Sequence, residues 1–178
     1  MNWILDADIK GFFDHVSHGQ LVELLRQRIM DPRMLWLIER FLLAGVLIEG
    51  RRHDTDEGVP QGSVLSPLLA NVYLHYVLDQ WFEREVKPRL RGEAYIIRYA
   101  DDFICAFERE EDALRFQSVL PKRLARFSLE LAEDKTKLLR FGRFAARESA
   151  RRDEGAPGTF DFLGFTHYCG KSRAGSSN

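Results

Sequence analysis

The sequence predicts an α+β fold, an antiparallel or mixed sheet backed by helices. Three observations lead there. Short apolar runs of strand length alternate with longer stretches whose apolar residues recur at helical spacing. Two of the apolar runs, 94–99 and 103–107, stand back to back across Ala100-Asp101-Asp102, the pattern of a hairpin with acids at its tip. No GxGxxG follows any strand, which argues against a parallel nucleotide-binding sheet.

Taken in order, residues 2–9 alternate apolar and acidic and predict a buried strand that ends in a turn around Gly11. Ser17 and Gln20 have capping-box spacing, and Leu21, Leu24, Leu25 and Ile29 continue as a helical stripe. Asp31-Pro32 predicts a second helix start, an N-cap with proline in the first turn, and that helix runs to Gly45. Residues 46–49 and 53–57 are expected to pair across Gly50-Arg51-Arg52, followed by a loop from Gly58 to Ser63. Ser66-Pro67 opens a long helix ending before Pro88, with Leu69, Val72, Tyr73, Tyr76, Val77 and Trp81 on one face. After the 94–107 hairpin come a helix over 110–127, a strand over 137–141, a charged loop over 143–158 and a closing strand over 160–165. Tyr73, Tyr76, Trp81 and Phe82 are expected to pack. The five histidines, His15, His18, His53, His75 and His167, show no metal spacing and are expected at the surface or in turns.

With 178 residues and 45% hydrophobic content, one domain with a real core is expected, and disorder is excluded. No apolar run reaches the length of a membrane span, and no export signal follows Met1. Cys105 and Cys169 are too few for a disulfide scaffold and have no metal-ligand spacing, so a reducing, cytoplasmic setting is expected. The chain opens directly on Trp3-Ile4-Leu5 and closes on a polar run from Gly170 to Asn178, so its ends look like those of a fragment. The balance of 26 basic against 27 acidic residues, a net charge of -1, speaks by itself against nucleic-acid binding.

The carboxylates point the other way. Asp8 ends an apolar strand and Asp101-Asp102 cap a hairpin between two more, positions that are costly near a core unless a partner or a metal compensates them. If the two elements share a sheet, Asp8 and Asp101 can converge. Such a cluster suits nucleotidyl transfer by two Mg²⁺ ions roughly 4 Å apart, since Mg²⁺ takes hard oxygen ligands and few protein carboxylates. Each site alone is also read as an ordinary turn, because Asp tolerates turn geometry.

Five segments occur in order: Asp8-Ile9-Lys10-Gly11-Phe12-Phe13-Asp14; Pro60 to Asn71; Tyr99-Ala100-Asp101-Asp102; Asp134-Lys135-Thr136; and Phe162-Leu163-Gly164-Phe165. Together they resemble the palm motifs of the reverse transcriptase/maturase proteins encoded by bacterial group II introns. The resemblance implies a ferredoxin-like reverse transcriptase palm with part of the fingers over residues 1–168, truncated at both ends, and a disordered polar tail over 169–178. It implies that Asp8, Asp101 and Asp102 are catalytic and hold two Mg²⁺ (or Mn²⁺) together with Ile9. It makes Lys135 the acid that protonates pyrophosphate. Phe13 becomes a steric gate against ribonucleotides, with Gln61, Gly62, Ile9 and Lys10 beside the substrate, and Phe162 to Phe165 supports the primer strand. Phe13, Lys135 and the 162–165 segment each have a plain structural alternative, as core aromatic, solvated lysine and sheet core. The implied partners are an RNA template with a DNA primer, deoxynucleoside triphosphates and group II intron RNA, with no membrane. Arg143, Arg147, Arg151 and Arg152 are read either as phosphate contacts or as a solvated loop.

Much of that family's fingers and thumb has no counterpart in these residues, so RNA-directed DNA polymerase chemistry is expected with little activity from the chain alone. A second reading is an RNA-binding maturase remnant that assists splicing without polymerising. A third, a diguanylate-cyclase-like domain, would want a Gly-Gly-Asp/Glu hairpin where Tyr99-Ala100-Asp101-Asp102 stands. The net charge then describes a centre that gathers aspartates for metals, whose four positive charges would invert the local field.

Overall fold

The computed structural model describes residues 1–43, 46–48, 51–53, 58, 65–142, 145, 151 and 158–170. Its centre is an antiparallel sheet of four strands in the order β4-β5-β1-β6: β1 (Trp3–Ala7), β4 (Ala94–Tyr99), β5 (Asp102–Phe107) and β6 (Lys137–Arg140). The predicted first strand thus becomes an inner strand, paired on one side with β5 (Trp3 with Phe107, Ala7 with Phe103) and on the other with β6 (Trp3 with Arg140, Asp6 with Lys137). Side chains alternate between the two faces. Leu5, Ala7, Phe103, Cys105 and Phe107 point into the main core and are buried. Ile4, Ile104 and Ala106 line the opposite face, where they pack with Phe160 in a second, smaller apolar cluster.

Helices cover the first face. α1 (Phe12–His15) follows Gly11, whose φ of 52° turns the chain sharply after β1. α2 (His18–Arg26) starts at Ser17, whose side chain accepts from the Gln20 amide at 3.5 Å. The other half of the predicted capping box is not made. The Gln20 amide group donates instead to the Arg126 carbonyl, and its oxygen lies 2.6 Å from the Tyr73 hydroxyl. α3 (Pro32–Leu43) starts as expected at Asp31, whose carboxylate accepts from the Arg33 amide at 2.8 Å. α4 begins at Ser66-Pro67 and runs through Leu74. It continues through two widened π turns, His75–Asp79 and Phe82–Val86, into a 3₁₀ turn at Lys87–Arg89. α5 (Glu110–Ala125) lies beside it. Tyr73 and Phe82 are fully buried, as the packing reading of that face expected. Phe82, Phe107 and Phe116 interlock at centroid distances of 5.5–6.4 Å and join both long helices to β5, each pair worth about 0.5–1.5 kcal/mol beyond its area.

Three expectations change in detail. The hairpin between α3 and α4 pairs β2 (Val46–Ile48) with β3 (Arg51–His53), so Arg51 and Arg52 lie in a strand rather than in the turn. The closing segment is not one strand but a hairpin, β7 (Phe160–Phe162) with β8 (Phe165–His167), because Leu163 and Gly164 both take left-handed backbone angles of 54° and 77°. His18 is buried rather than at the surface and bonds the Gly58 carbonyl through Nε2. Among the described residues, no helix is long and apolar enough to cross a membrane.

Candidate active site

Register brings the predicted acids together. Ala7 pairs with Phe103, so Asp8, one residue beyond, stands opposite Asp102, which itself closes the β4–β5 hairpin against Tyr99. Period-two alternation places Asp6, Asp8, Asp102 and Ile104 on the face away from the helices. Asp101 occupies the hairpin loop after Ala100, an alanine held at φ 53°. Partial burial, followed by the charges of Asp101 and Asp8, raises the Asp102 carboxyl above the usual carboxylate range, against the pull of Lys135. Asp6 was not among the predicted residues, although its place two before Asp8 on an alternating strand marks it as a neighbour. Burial raises its carboxyl too, helped by Asp161, Asp102 and Asp8 and opposed by Lys137.

The segment before β6 runs along the residues after β1. Ile9 bridges Leu131, the Lys10 amide bonds the Glu130 carbonyl, and the Ala132 amide bonds the Asp8 carbonyl at 2.8 Å. This pairing delivers the Lys135 ammonium to within 2.9 Å of the Asp8 carboxylate. The bond and charge of Asp8 raise the Lys135 ammonium above its ordinary value, so it stays protonated at neutral pH. Among the described residues, no group of three His, Cys, Asp or Glu side chains is placed to hold a metal ion. A Mg²⁺ site needs none, because the ion keeps water and substrate phosphates beside one or two carboxylates. Asp8, Asp101 and Asp102 offer hard oxygen donors under mutual repulsion, and a lysine already supplies positive charge to Asp8. The donor chemistry fits a divalent cation.

The hairpin that carries Asp101 and Asp102 is tied down by a residue that sequence reading missed. Arg98, its side chain 11% exposed, reaches from β4 to three partners. Nε and Nη2 grip the Asp79 carboxylate at 2.8 and 2.7 Å, while Nη1 donates to the Asn71 side chain at 2.8 Å and to the Ala100 carbonyl at 2.7 Å. One guanidinium thus links α4 to the carbonyl of the left-handed residue next to Asp101. Its fork geometry is what lets it satisfy a carboxylate and a turn at once. The signal was present, a charged residue in an apolar strand of alternating pattern, but its partner lies 19 positions upstream.

Phe13 is half-buried and packs edge-on against the buried Phe12 at 5.2 Å. Gly58, three residues before Gln61 in the sequence, donates its amide to the Val16 carbonyl, and a Cβ there would meet the Phe13 and Asp14 carbonyls at 3.1 Å. Gln61 and Gly62 themselves lie outside the described residues, as do Arg143, Arg147 and Arg152, while Arg151 is exposed. Ile9 is buried, and the Lys10 side chain pairs with Glu130 at 3.3 Å. In the 162–165 segment, Leu163 and Phe165 are exposed while Phe160 anchors the hairpin to the carboxylate-bearing face.

Comparison with known proteins converges on one family. Residues 1–167 match the family described as reverse transcriptase (RNA-dependent DNA polymerase). Over 153 residues the chain is 35% identical to the group II intron-encoded protein LtrA of Lactococcus lactis subsp. cremoris, covering 80% of this chain and 26% of LtrA. Over 81 residues it is 46% identical to an uncharacterized 91 kDa protein in the cob intron of Schizosaccharomyces pombe, covering 46% of this chain and 10% of that one. It therefore spans about a quarter of LtrA and a tenth of the yeast protein. Among solved structures, apo telomerase from Candida tropicalis superposes with a TM-score of 0.69 over 94% of this chain and 34% of its own, at 14% identity, a likeness of fold. The sheet with its hairpin acids and the near full-length family match agree: the chain belongs to the reverse transcriptase (RNA-dependent DNA polymerase) family.

Proposed function

We propose that residues 1–168 form the catalytic palm, with part of the fingers, of an RNA-directed DNA polymerase. Asp8, Asp101 and Asp102, together with Ile9, would hold two Mg²⁺ ions. The observation that carries this reading is the register that sets Asp8 opposite Asp102 on the helix-free face, with Lys135 2.9 Å from Asp8. Bound there, the ions would supply Lewis-acid stabilisation of the primer hydroxyl and of the triphosphate.

The chain's own residues contribute the rest. In the transfer, the primer 3′-hydroxyl loses its proton to solvent water, and its oxygen forms a bond to the α-phosphorus as the bond to the β-phosphate oxygen breaks. Lys135, held protonated beside Asp8, gives its proton to the departing pyrophosphate. Phe13 presents a ring edge against a 2′-hydroxyl. Gln61 and Gly62 approach the nucleotide, Lys10 flanks it, and the β7–β8 hairpin supports the primer. The template is RNA, the substrates are deoxynucleoside triphosphates, and the likeness to LtrA supports a group II intron RNA as the associated RNA.

Primer extension on an RNA template by the protein containing this chain tests the reading. Asp8→Asn and Asp101→Asn should each lower the rate by about a hundredfold to a thousandfold, the equivalent of several kcal/mol of charge stabilisation. Extension by both variants at the parent rate would overturn it.

A further inference from the structure

The chain is electrically near neutral, yet its cations are not evenly distributed. Several of those around the sheet and helices are matched: Lys10 with Glu130, Arg26 with Glu23, Lys87 with Glu83, Arg91 with Glu111, Arg98 with Asp79 and Lys135 with Asp8. A groove of about 340 Å³ between the end of α4 and α5 gathers cations in one place. Arg89, Arg115, Lys122, Arg123 and Arg126 line it against one acid, Glu85. No carboxylate among the described residues forms an ion pair with Arg89, Arg115, Lys122 or Arg126, and all four side chains lie on exposed residues. On α5, positions 115, 122 and 126 share one face over about 16 Å of helix.

The groove is also built to keep its shape. Arg123 lies over the Trp81 ring at 5.4 Å and over the Phe127 ring at 4.5 Å. Its Nε and Nη2 donate to the Val77 and Tyr76 carbonyls in the first widened turn of α4. Part of the floor is buried side chain: Phe116 is 1% exposed, Val86 7% and Trp81 9%. A polyanion would find four exposed cations there against the single carboxylate of Glu85. Four of the five cations are arginines, whose forked guanidinium suits phosphate oxygens. The groove sits on the helical layer, behind the sheet face that carries Asp8 and Asp102, so a duplex lying on those aspartates does not occupy it.

We propose that this groove binds the sugar-phosphate backbone of an RNA segment separate from the template and primer at the aspartates. The proposal rests on the reverse transcriptase reading in taking RNA as the polyanion. Recognition is electrostatic and independent of base sequence, because phosphates rather than base edges face the cations.

Titration of the chain with a fluorescein-labelled oligouridylate in EDTA, by anisotropy across a range of salt, tests it. The groove variant Arg115→Glu/Lys122→Glu/Arg126→Glu should weaken binding about tenfold or more and flatten the salt slope by about 2, from about 0.7 per phosphate lost. The charge-matched variant Arg33→Glu/Arg40→Glu/Arg109→Glu, on exposed sites elsewhere, should bind close to the parent. Superposed thermal unfolding curves establish that the groove variant is folded, and if it is not, the single variant Arg115→Glu replaces it with a slope change of about 0.7. Equal weakening by both triple variants, or none by the groove variant, overturns the proposal. Loss of polyglutamate binding with oligouridylate binding retained overturns it in favour of an acidic protein segment. Because metal and nucleotides are left out, failure of the polymerase reading shows in primer extension, and failure of this proposal shows in the titration.

Discussion

Removing the Arg98 guanidinium should be felt at two distances. Arg98→Ala leaves the Asp79 carboxylate, 27% exposed, without its fork, at a cost of about 2–3 kcal/mol in urea unfolding. It also frees the Ala100 carbonyl, so the turn carrying Asp101 loses its tie to α4. Primer extension should fall by about tenfold to a hundredfold in kcat with the nucleotide KM little changed, the signature of lost positioning rather than lost binding. Arg98→Lys should restore only part of either loss, because an ammonium cannot grip the carboxylate and the turn together. The neighbouring acids are legible differently. The Asp102 carboxyl lies above the ordinary range in the folded chain, so the folded state binds that proton more tightly than the unfolded one. The stability it brings is present at low pH and is lost as pH rises through the folded-state value. Asp102→Asn should therefore raise the Tm of the metal-free chain at neutral pH by about 2 °C while abolishing synthesis, an exchange of function for stability. Thermal melts with EDTA at acidic and neutral pH check the sign.

At the scale of elements, the helix starts were readable because caps are local. Ser17, Asp31-Pro32 and Ser66-Pro67 each announce a helix through chemistry within three residues, and each helix begins there. The β4–β5 hairpin was readable for the same reason, two apolar runs around a polar tip. The β7–β8 hairpin was not, because Leu163 is no turn former and Gly164 alone reads as a break within a strand. Its left-handed pair supplies a test. A Cβ on Gly164 would meet nothing within 4 Å, so Gly164→Ala carries only the backbone cost, about 1 kcal/mol. Amide exchange in 160–167 should quicken about fivefold while the four-stranded sheet keeps its protection. Gln20 also exceeded its sequence reading: spacing made it half of a capping box, but its amide and oxygen join α2 to the Arg126 carbonyl and the Tyr73 hydroxyl, partners more than 50 residues away.

For the molecule as a whole, one aromatic knot joins both long helices to the sheet, and Phe116 is its centre. Phe116→Ala should cost about 3–5 kcal/mol in urea unfolding, a large share of a small domain's stability. The candidate acids Asp8, Asp101 and Asp102 were legible because their motifs stand in a fixed order; that Asp8 stands opposite Asp102 became visible only through strand order and register, which no local window contains. The same register gives the core an unexpected authority over the chemistry. Leu5 and Ala7 are buried on one face, while Asp6 and Asp8 alternate with them on the other. A slip of β1 by one residue would turn apolar side chains outward and carry the carboxylates into the helical core. The pairing that hides grease from water is therefore also the alignment gauge of the aspartates. Oily substitutions along β1 that loosen this gauge would behave as lesions of the carboxylate cluster while touching none of its oxygen atoms.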